Sequence, residues 1–311
     1  MSQTTASLRR TIESAGKLQS VVGAMKALAA SSIGQYEQSV RALDDYYRTV
    51  QLGLVVCLRG PGAAALVTGE TRRTDAGAIG AVVFGSDQGL VGQFNDVVAD
   101  HAVETLRGLA GTPWIWAVGE RVHARLQDAG LPLADLFSVP NSVRGITPLV
   151  GQILVESEGR RSRGEIGELR LFYNHPVSGA AYEPVTQRLL PLDETWRREH
   201  TERAWPTTNL PEVLGSDAET LRALIREYLF VSLFRACAES LASENVSRLA
   251  AMQRADKNIG ELLDELNGRF HRVRQSGIDE ELFDVIAGFE ALAGGRDSRG
   301  RRKPGRSEVC S

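Results

Sequence analysis

Residues 216–241 read SDAETLRALIREYLFVSLFRACAESL and predict the first part of a long amphipathic helix. Ser216 and Glu219 have the spacing of a capping box, in which two side chains satisfy the free N–H groups of a helix start. After them, apolar side chains recur every three or four residues, which places a single apolar stripe on a helix. The stripe consists of Leu221, Leu224, Tyr228, Val231, Phe234, Ala238 and Leu241.

The distribution of proline extends this prediction to both ends of the chain. Ten of the 11 prolines lie between Pro61 and Pro211. Because a proline inside a helix removes a backbone donor and costs about 3 kcal/mol, long helices are expected only on either side of this region. We expect residues 3–58 and 213–293 to form an antiparallel coiled coil, the second helix being on the order of 120 Å long. A compact domain cannot enclose such a rod, so much of it must pack against something else.

Glycines interrupt the apolar pattern of both segments. They are Gly16, Gly23, Gly34, Gly260, Gly268, Gly277 and Gly288. Each costs about 1 kcal/mol relative to alanine inside a helix. We interpret them as positions of close approach to a partner or of torsional freedom, and the alternative is that they mark breaks in the helices.

The centre of the chain alternates between strand and helix patterns. Strands are predicted at 78–84, 114–118 and 131–139, helices at 95–109, 120–129 and from a cap at Asn141 to Glu158, and an edge pair of strands at 168–173 and 184–190. Such alternation predicts a mostly parallel sheet between two layers of helices. The fold class is therefore α/β, with two long terminal helices and a central Rossmann-like domain. The expected domains are 1–58, 59–212, 213–293 and a disordered basic tail, 294–311.

Composition excludes several classes of function. The net charge of −3 provides no bulk attraction to nucleic acid or anionic lipid. No run approaches the ~18 apolar residues that a transmembrane helix needs, so direct membrane insertion is not expected. The chain has three cysteines without a CxxC spacing, and its five histidines are scattered. We therefore expect no metal, no cofactor and no catalytic residues.

The loop Gly85–Gly92 follows the first central strand and is the place where a dinucleotide fingerprint would lie. Its spacing is G-x-x-x-G-x-x-G, without the initial tight G-x-G turn that brings backbone amides to a pyrophosphate. A structural strand-to-helix turn is therefore favoured over a nucleotide site.

Three groups of residues stand in the order of one known family's signature. In the C-terminal segment the group consists of Ser243-Glu244, Arg248, Ala251-Met252, Ala255, Lys257-Asn258, Gly260-Glu261-Leu262, Arg272, Arg274-Gln275, Ile278, Glu281-Leu282, Gly288 and Glu290-Ala291-Leu292. In the N-terminal segment it consists of Ile12, Ser14, Gln19, Ala24-Met25-Lys26 and Ala29-Ala30-Ser31, and in the centre of Ser86-Asp87, Gly89-Leu90, Gly92, Asn95, Tyr173-Asn174 and Leu189-Leu190-Pro191-Leu192.

In this order the residues resemble the gamma subunit of rotary F-type ATP synthases, and the resemblance implies a non-catalytic central stalk. Its coiled coil would stand inside a hexamer of alpha and beta subunits, and its globular part would dock on the epsilon subunit and the membrane rotor ring at the cytoplasmic face of a bacterial inner membrane. Met25 and Lys26 would lie near the levers of the beta subunits, and Arg272, Arg274 and Gln275 would contact loops higher in the hexamer. Ser86, Asp87, Gly89, Gly92 and Asn95 would form the structural turn.

The sequence departs from the family pattern at several places. Ser20 and Gly23 stand where lysines are common, Asp279 replaces a threonine, and Trp205–Pro211 replaces an acidic, aromatic foot loop. About 19 residues follow the usual end near Leu292, and no pair of cysteines forms a central thiol switch. Two alternatives remain open here: a coiled-coil scaffold outside any ATPase, and a nucleotide-binding α/β enzyme.

Overall fold

The computed structural model describes residues 4–59, 78–109, 111–177, 182–192 and 216–297, together with residues 196, 198, 200, 205, 208, 209, 211 and 212. Its elements are α1 (Thr5–Arg59), β1 (Ala78–Phe84), α2 (Phe94–Arg107), β2 (Trp114–Val118), α3 (Glu120–Asp128), β3 (Leu133–Phe137), α4 (Val143–Ser162), β4 (Ile166–Pro176), β5 (Tyr182–Leu190) and α5 (Asp217–Asp297). The chain divides into two compact units, one comprising 1–23 and 254–311 and the other 24–253.

The five strands of the larger unit form one sheet in the order β3-β2-β1-β4-β5. All neighbouring strands are parallel except β4 and β5, whose antiparallel pairing forms one edge. The predicted strands and the edge pair are therefore confirmed. β1 and β2 are apolar runs because helices cover both of their faces, and a strand buried on both sides has no need of alternation.

Side chains of the sheet alternate between two apolar cores. Ala81, Val83 and Phe172 pack with α2 and α3 on one face. Val82 and Phe84 lie in the core of the other face, which also contains residues of α1, α4 and α5. This arrangement is the predicted three-layer α/β architecture.

Helix α4 begins and ends later than its prediction, and like the predicted range it contains Pro148. Ser142, in an extended conformation, is the N-cap residue, so Asn141 is not the cap. Pro148 lies inside the helix, although an interior proline is unfavourable. The helix persists because its other side, including Ile146 and Ile153, is fully buried against the sheet, and this packing offsets the one backbone hydrogen bond that proline removes.

The long helices are α1 and α5, and in the larger unit they run antiparallel. Asp44 contacts Arg235, and Tyr46 contacts Glu227. A Cβ atom placed on Gly53 would lie 3.2 Å from Leu224 Cδ1. The contact positions therefore rise along α1 while they fall along α5. In the smaller unit, the side chain of Gln19 donates a hydrogen bond to Asp256.

The buried positions of both helices recur every seven residues. On α1 they include Leu8, Ala15, Val22, Ala29, Tyr36, Val50 and Cys57, and on α5 they include Val231, Ala238, Asn245, Met252, Ile259 and Leu266. A seven-residue repeat is the pattern of a left-handed coiled coil. Leu18, Val21 and Leu28, which the apolar pattern assigned to the α1 stripe, are 57–69% exposed instead.

The glycines of the long helices do not interrupt them. Both helices are continuous through these positions, so the interpretation as breaks is wrong. A Cβ atom added at any of the seven glycines would meet no atom within 4 Å, so no close approach within the described chain requires glycine there. The glycines are tolerated because they lie outside the buried seven-residue positions.

Candidate functional site

The turn after β1 is held by a reciprocal pair of hydrogen bonds. The backbone N–H of Ser86 donates to Asn95 Oδ1 at 2.9 Å, and Asn95 Nδ2 donates to Ser86 Oγ at 2.8 Å. Ser86 Oγ in turn donates to the carbonyl of Gln88. Ser86 is fully buried and Asn95 nearly so. The start of α2 is thereby fastened to the end of β1 by polar groups that satisfy one another.

Asp87 extends this turn to the two neighbouring loops. Its carboxylate accepts the backbone N–H of Glu120 at 3.0 Å and that of Val139 at 2.9 Å. Glu120 begins α3, and Val139 follows β3. One carboxylate therefore joins the loops that follow β1, β2 and β3, and both of its oxygens are engaged in doing so.

Close contacts with neighbouring loops and helices explain two glycines near the turn. Gly119 has a φ of +115°, and a Cβ atom there would lie 2.8 Å from the backbone of Ser86. A Cβ atom on Gly85 would lie 2.4 Å from Val122 Cβ. Neither Gly119 nor Val122 was singled out from the sequence, because the clash arises only when separate loops meet.

Of the two other glycines of the motif, Gly89 is half-buried and Gly92 is exposed. Gly92 has a φ of +60°, and a Cβ atom on Gly89 would meet only the guanidinium of Arg121, at 3.7 Å. Leu90 between them has a φ of +64°, which is unusual for a residue with a side chain, and it is 61% exposed. The structure thus brings Ser86, Asp87 and Asn95 together and leaves the two glycines on the surface of the same turn.

The crevice where Rossmann-like domains hold nucleotides is occupied by protein. In this sheet the strand order reverses between β1 and β4, and ligands of such sheets bind beyond the strand ends at that point. Here Asn174, at the end of β4, donates to the carbonyl of Phe94 at 2.9 Å and accepts from Ser243 Oγ of α5 at 2.9 Å through its own carbonyl. Helix α5 therefore covers the position that a nucleotide would take.

A buried ion pair lies next to this contact on α5. Arg248 Nη2 lies 2.6 Å from Glu244 Oε1, and the Glu244 side chain is only 7% exposed. Burial raises the pKa of Glu244, and the positive charge of Arg248 opposes that effect. Together they line a cleft of about 280 Å³, with Met25 of α1 and Asp87 also on its wall. From the sequence, Glu244 and Arg248 were identified only as residues of the family signature.

The residues expected to meet partners lie on the two long helices. Met25 and Lys26 are half-buried in the larger unit, and Met25 lines the cleft. Arg272, Arg274 and Gln275 are exposed in the smaller unit. Among the described residues, no ion pair includes Arg272 or Arg274, whereas Arg269 pairs with Glu265 at 2.6 Å.

The last part of α5 exposes large apolar side chains. No described side chain after Leu266 is buried. The exposed residues are Val273, Ile278, Leu282, Phe283, Val285, Ile286 and Phe289. Leu282, Val285 and Phe289 thus continue the apolar stripe without packing in the described chain. Exposed apolar surface of this extent is typical of a site that another protein covers.

The described cysteines are buried, and the described residues include no candidate cluster of metal-binding side chains and no candidate membrane-spanning helix. Cys57 and Cys237 are buried free thiols, and burial raises the pKa of both, so each is held in its unreactive form. In the described part of the chain, no group of three His, Cys, Asp or Glu side chains could hold a metal ion. No described helix is long and apolar enough to cross a bilayer.

The chain matches the family model described as ATP synthase over residues 4–292. It is 27% identical to the ATP synthase gamma chain of Clostridium pasteurianum, over 91% of this chain and 97% of that one. It is 29% identical to the ATP synthase gamma chain of Rhizobium johnstonii, over 92% of this chain and 98% of that one.

Two solved structures have the same fold. A chain of the Euglena gracilis mitochondrial ATP synthase in a structure of OSCP, F1 and c-ring matches with a TM-score of 0.61 and 18% identity, over 98% of this chain and 99% of that one. A chain of the rotor of the same organism's enzyme matches with a TM-score of 0.57 and 16% identity, over 88% of this chain and 98% of that one.

Proposed function

Because this chain belongs to the gamma-subunit family of ATP synthases, we propose that it transmits torque between a membrane rotor ring and a hexamer of alpha and beta subunits. The family match over residues 4–292 is the observation that carries this conclusion, because it includes both long helices and the central sheet. The chain is the non-catalytic central-stalk subunit, and nucleotide chemistry belongs to its partners. Rotation of an asymmetric shaft would favour a different state at each nucleotide site in turn.

The family match favours this role over the two alternatives. A scaffold outside any ATPase would have no reason to match the gamma family along almost its whole length. A nucleotide-binding enzyme would need a free crevice beyond β1 and β4, and Asn174 and Ser243 occupy it. We infer that the turn after β1 has a structural role in the central domain. It consists of Ser86, Asp87, Gly89, Gly92 and Asn95.

The proposal also assigns a role to each segment of the chain. The shaft would consist of 1–58 and 213–293, and the domain 59–212 would dock on the epsilon subunit and the rotor ring. Helix α5 extends to Asp297, and residues 298–311 of the basic tail lie outside the described residues, as do residues 206, 207 and 210 of the foot loop. The complex would lie on the cytoplasmic face of a bacterial inner membrane and couple to ion flow; two bacterial gamma chains among the relatives support that location.

The contacts inside the hexamer follow from exposure and charge. Arg272 and Arg274 expose their guanidinium groups, which can bind carboxylates in a bidentate geometry. Acidic loops of the hexamer are therefore their expected partners. Gln275 would add neutral hydrogen bonds beside them. Met25 and Lys26 would meet the levers of the beta subunits. The exposed apolar end of α5 would be covered by the hexamer.

Reconstitution of the alpha/beta hexamer with and without this chain tests the function. We expect a stable assembly and rapid ATP hydrolysis only when the chain is present, and equal hydrolysis in both samples would refute the rotor role. The contact residues need a separate comparison. Arg274→Ala should slow hydrolysis of the assembled complex by at least about tenfold if it loses a charge-assisted contact worth about 1.5–3 kcal/mol. The exposed Arg41→Ala is the control.

A further inference from the structure

Glu239 of α5 is a buried carboxylate with three charged or polar partners, Arg235 on α5 and His175 and Tyr173 on β4. It is 3% exposed. Its Oε2 lies 2.8 Å from the ring Nδ1 of His175 on β4, and its Oε1 accepts a hydrogen bond from Arg235 Nε at 2.7 Å. The carboxylate therefore joins the long helix to the sheet.

Arg235 continues the connection to the other long helix. Its Nη1 lies 3.1 Å from Asp44 Oδ1, and its guanidinium lies 5.5 Å from the ring centroid of Tyr47. Burial alone would lower the pKa of Arg235, but the hydrogen bond and charge of Glu239, with the charge of Asp44, outweigh it and raise that pKa. The guanidinium is thus held in its charged form between α1 and α5.

Tyr47 connects the network to the edge strand of the sheet. Its hydroxyl accepts a hydrogen bond at 3.3 Å from the side chain of Gln187, which lies on β5. A connected set of polar groups therefore runs from β4 through α5 to α1 and back to β5. All of these residues belong to the larger unit.

The energetics of such a network favour a role in orientation. A buried ion pair recovers little more than its desolvation penalty, and apolar residues of similar size are often as stable in its place. Apolar packing between the helices and the sheet is non-directional, so by itself it permits small rotations and shifts. Hydrogen bonds at 2.7–2.8 Å tolerate much less displacement.

We propose that Glu239 is a positioning residue that fixes the orientation of α1 and α5 on the β4-β5 edge, and so sets the stiffness with which torque passes from the helices to the central domain. The proposal rests on the rotor role given above. It concerns the larger unit alone and adds no contact with nucleotide or with the hexamer.

The test replaces the network by apolar groups in the assembled complex. Arg235→Met, Glu239→Leu and Tyr173→Phe together remove the buried charge of Glu239, the partly exposed charge of Arg235 and the buried hydroxyl that hydrogen-bonds Glu239, while the partially exposed His175 and Asp44 remain open to water. Glu37→Leu with Arg41→Met, an exposed pair on α1, is the matched control. A bead is attached to the central domain through Gln127→Cys on an exposed turn of α3, and its angular fluctuations are recorded while the helices are held in a nucleotide-stalled hexamer.

We expect the angular variance of the network variant to rise at least about twofold, with the melting temperature within about 3 °C of the parent. The control pair should change neither quantity. An unchanged variance in the network variant would overturn the proposal. If that variant does not assemble, Glu239→Gln is measured against the same twofold threshold. A parent complex whose bead does not turn with ATP would instead refute the rotor role, so the two failures are distinguishable.

Discussion

Asn95 and Ser86 hydrogen-bond each other twice, through the backbone N–H of Ser86 and the side-chain amide of Asn95. Because both residues are buried, water cannot replace either partner. The pair joins the end of the first strand to the first turn of α2. It gives a physical reason for the S-D-x-G-L-x-G-x-x-N spacing that does not involve a ligand.

Asn95→Ala should destabilise the protein by about 1–3 kcal/mol, because it leaves the buried N–H of Ser86 without an acceptor. Chemical denaturation of the isolated chain measures the change in the free energy of unfolding. Gln93→Ala, on an exposed neighbour, should stay within about 0.5 kcal/mol. Equal losses in the two variants would contradict the structural role of the pair.

Gly119→Ala should cost more than about 3 kcal/mol or prevent folding, because it combines a positive φ with a Cβ atom 2.8 Å from the backbone of Ser86. Gly111→Ala separates the two causes. Gly111 also has a positive φ, of +94°, but open space surrounds it, so its substitution should cost only about 1–2 kcal/mol. Thermal unfolding compares the variants, and a milder effect at Gly119 would refute the steric argument.

Ile259→Ala should destabilise the smaller unit by about 2–4 kcal/mol, because Ile259 occupies one of the buried seven-residue positions. Leu262→Ala removes a comparable side chain that is 45% exposed, and it should cost less than about 1 kcal/mol. Circular dichroism during denaturation provides the comparison. Should the exposed position prove the more sensitive one, the seven-residue seam would be wrong.

Gly16→Ala and Gly268→Ala should each stabilise the isolated chain by about 1 kcal/mol, because both glycines lie inside helices with space for a methyl group. Gly53→Ala should bring no such gain, since its Cβ atom would press on Leu224. Melting temperatures of the three variants test this directly. A loss of stability in Gly16→Ala would contradict the prediction, because it would mean that the added methyl group clashes with a nearby atom.

Glu244 should make stability fall as pH rises above its ordinary pKa of 4.5, because burial raises the pKa of this carboxyl in the folded protein. In that window the folded state binds more protons than the unfolded state, and the slope of unfolding free energy against pH is negative. The stability of the parent minus that of Glu244→Gln should therefore decrease between pH 4.5 and neutrality. Denaturation at a series of pH values checks the sign, and a difference that grows with pH would contradict it.

Local patterns in the sequence were sufficient for most of the architecture. Strands such as 78–84 and 114–118 are short apolar runs bounded by turn residues, and their pattern depends only on near neighbours. The avoidance of proline outside the centre likewise predicted both long helices. The predicted cap at Asn141 was wrong by one residue, since Ser142 is the N-cap, and the predicted helix through Pro148 is confirmed.

The sites could be predicted only in part. The Ser86–Asn95 motif was visible because its residues are close in the sequence. The role of Glu239 was not visible, because its partner His175 lies 64 positions away on a strand. The partner role of Arg274 stays a prediction from the family resemblance, since exposure on a helix has no local signature of a partner.

The sequence by itself determined that two proline-free, amphipathic ends flank an alternating α/β centre, since helix and strand periodicities are properties of neighbouring residues. Only the tertiary structure decided which polar groups meet. It placed Asp87 against the loops after β2 and β3, Ser243 in the crevice at β4, and Glu239 between β4 and the helices. The reason is physical: hydrogen bonds require separate elements to approach within about 3 Å, and that approach is set by how the whole core packs.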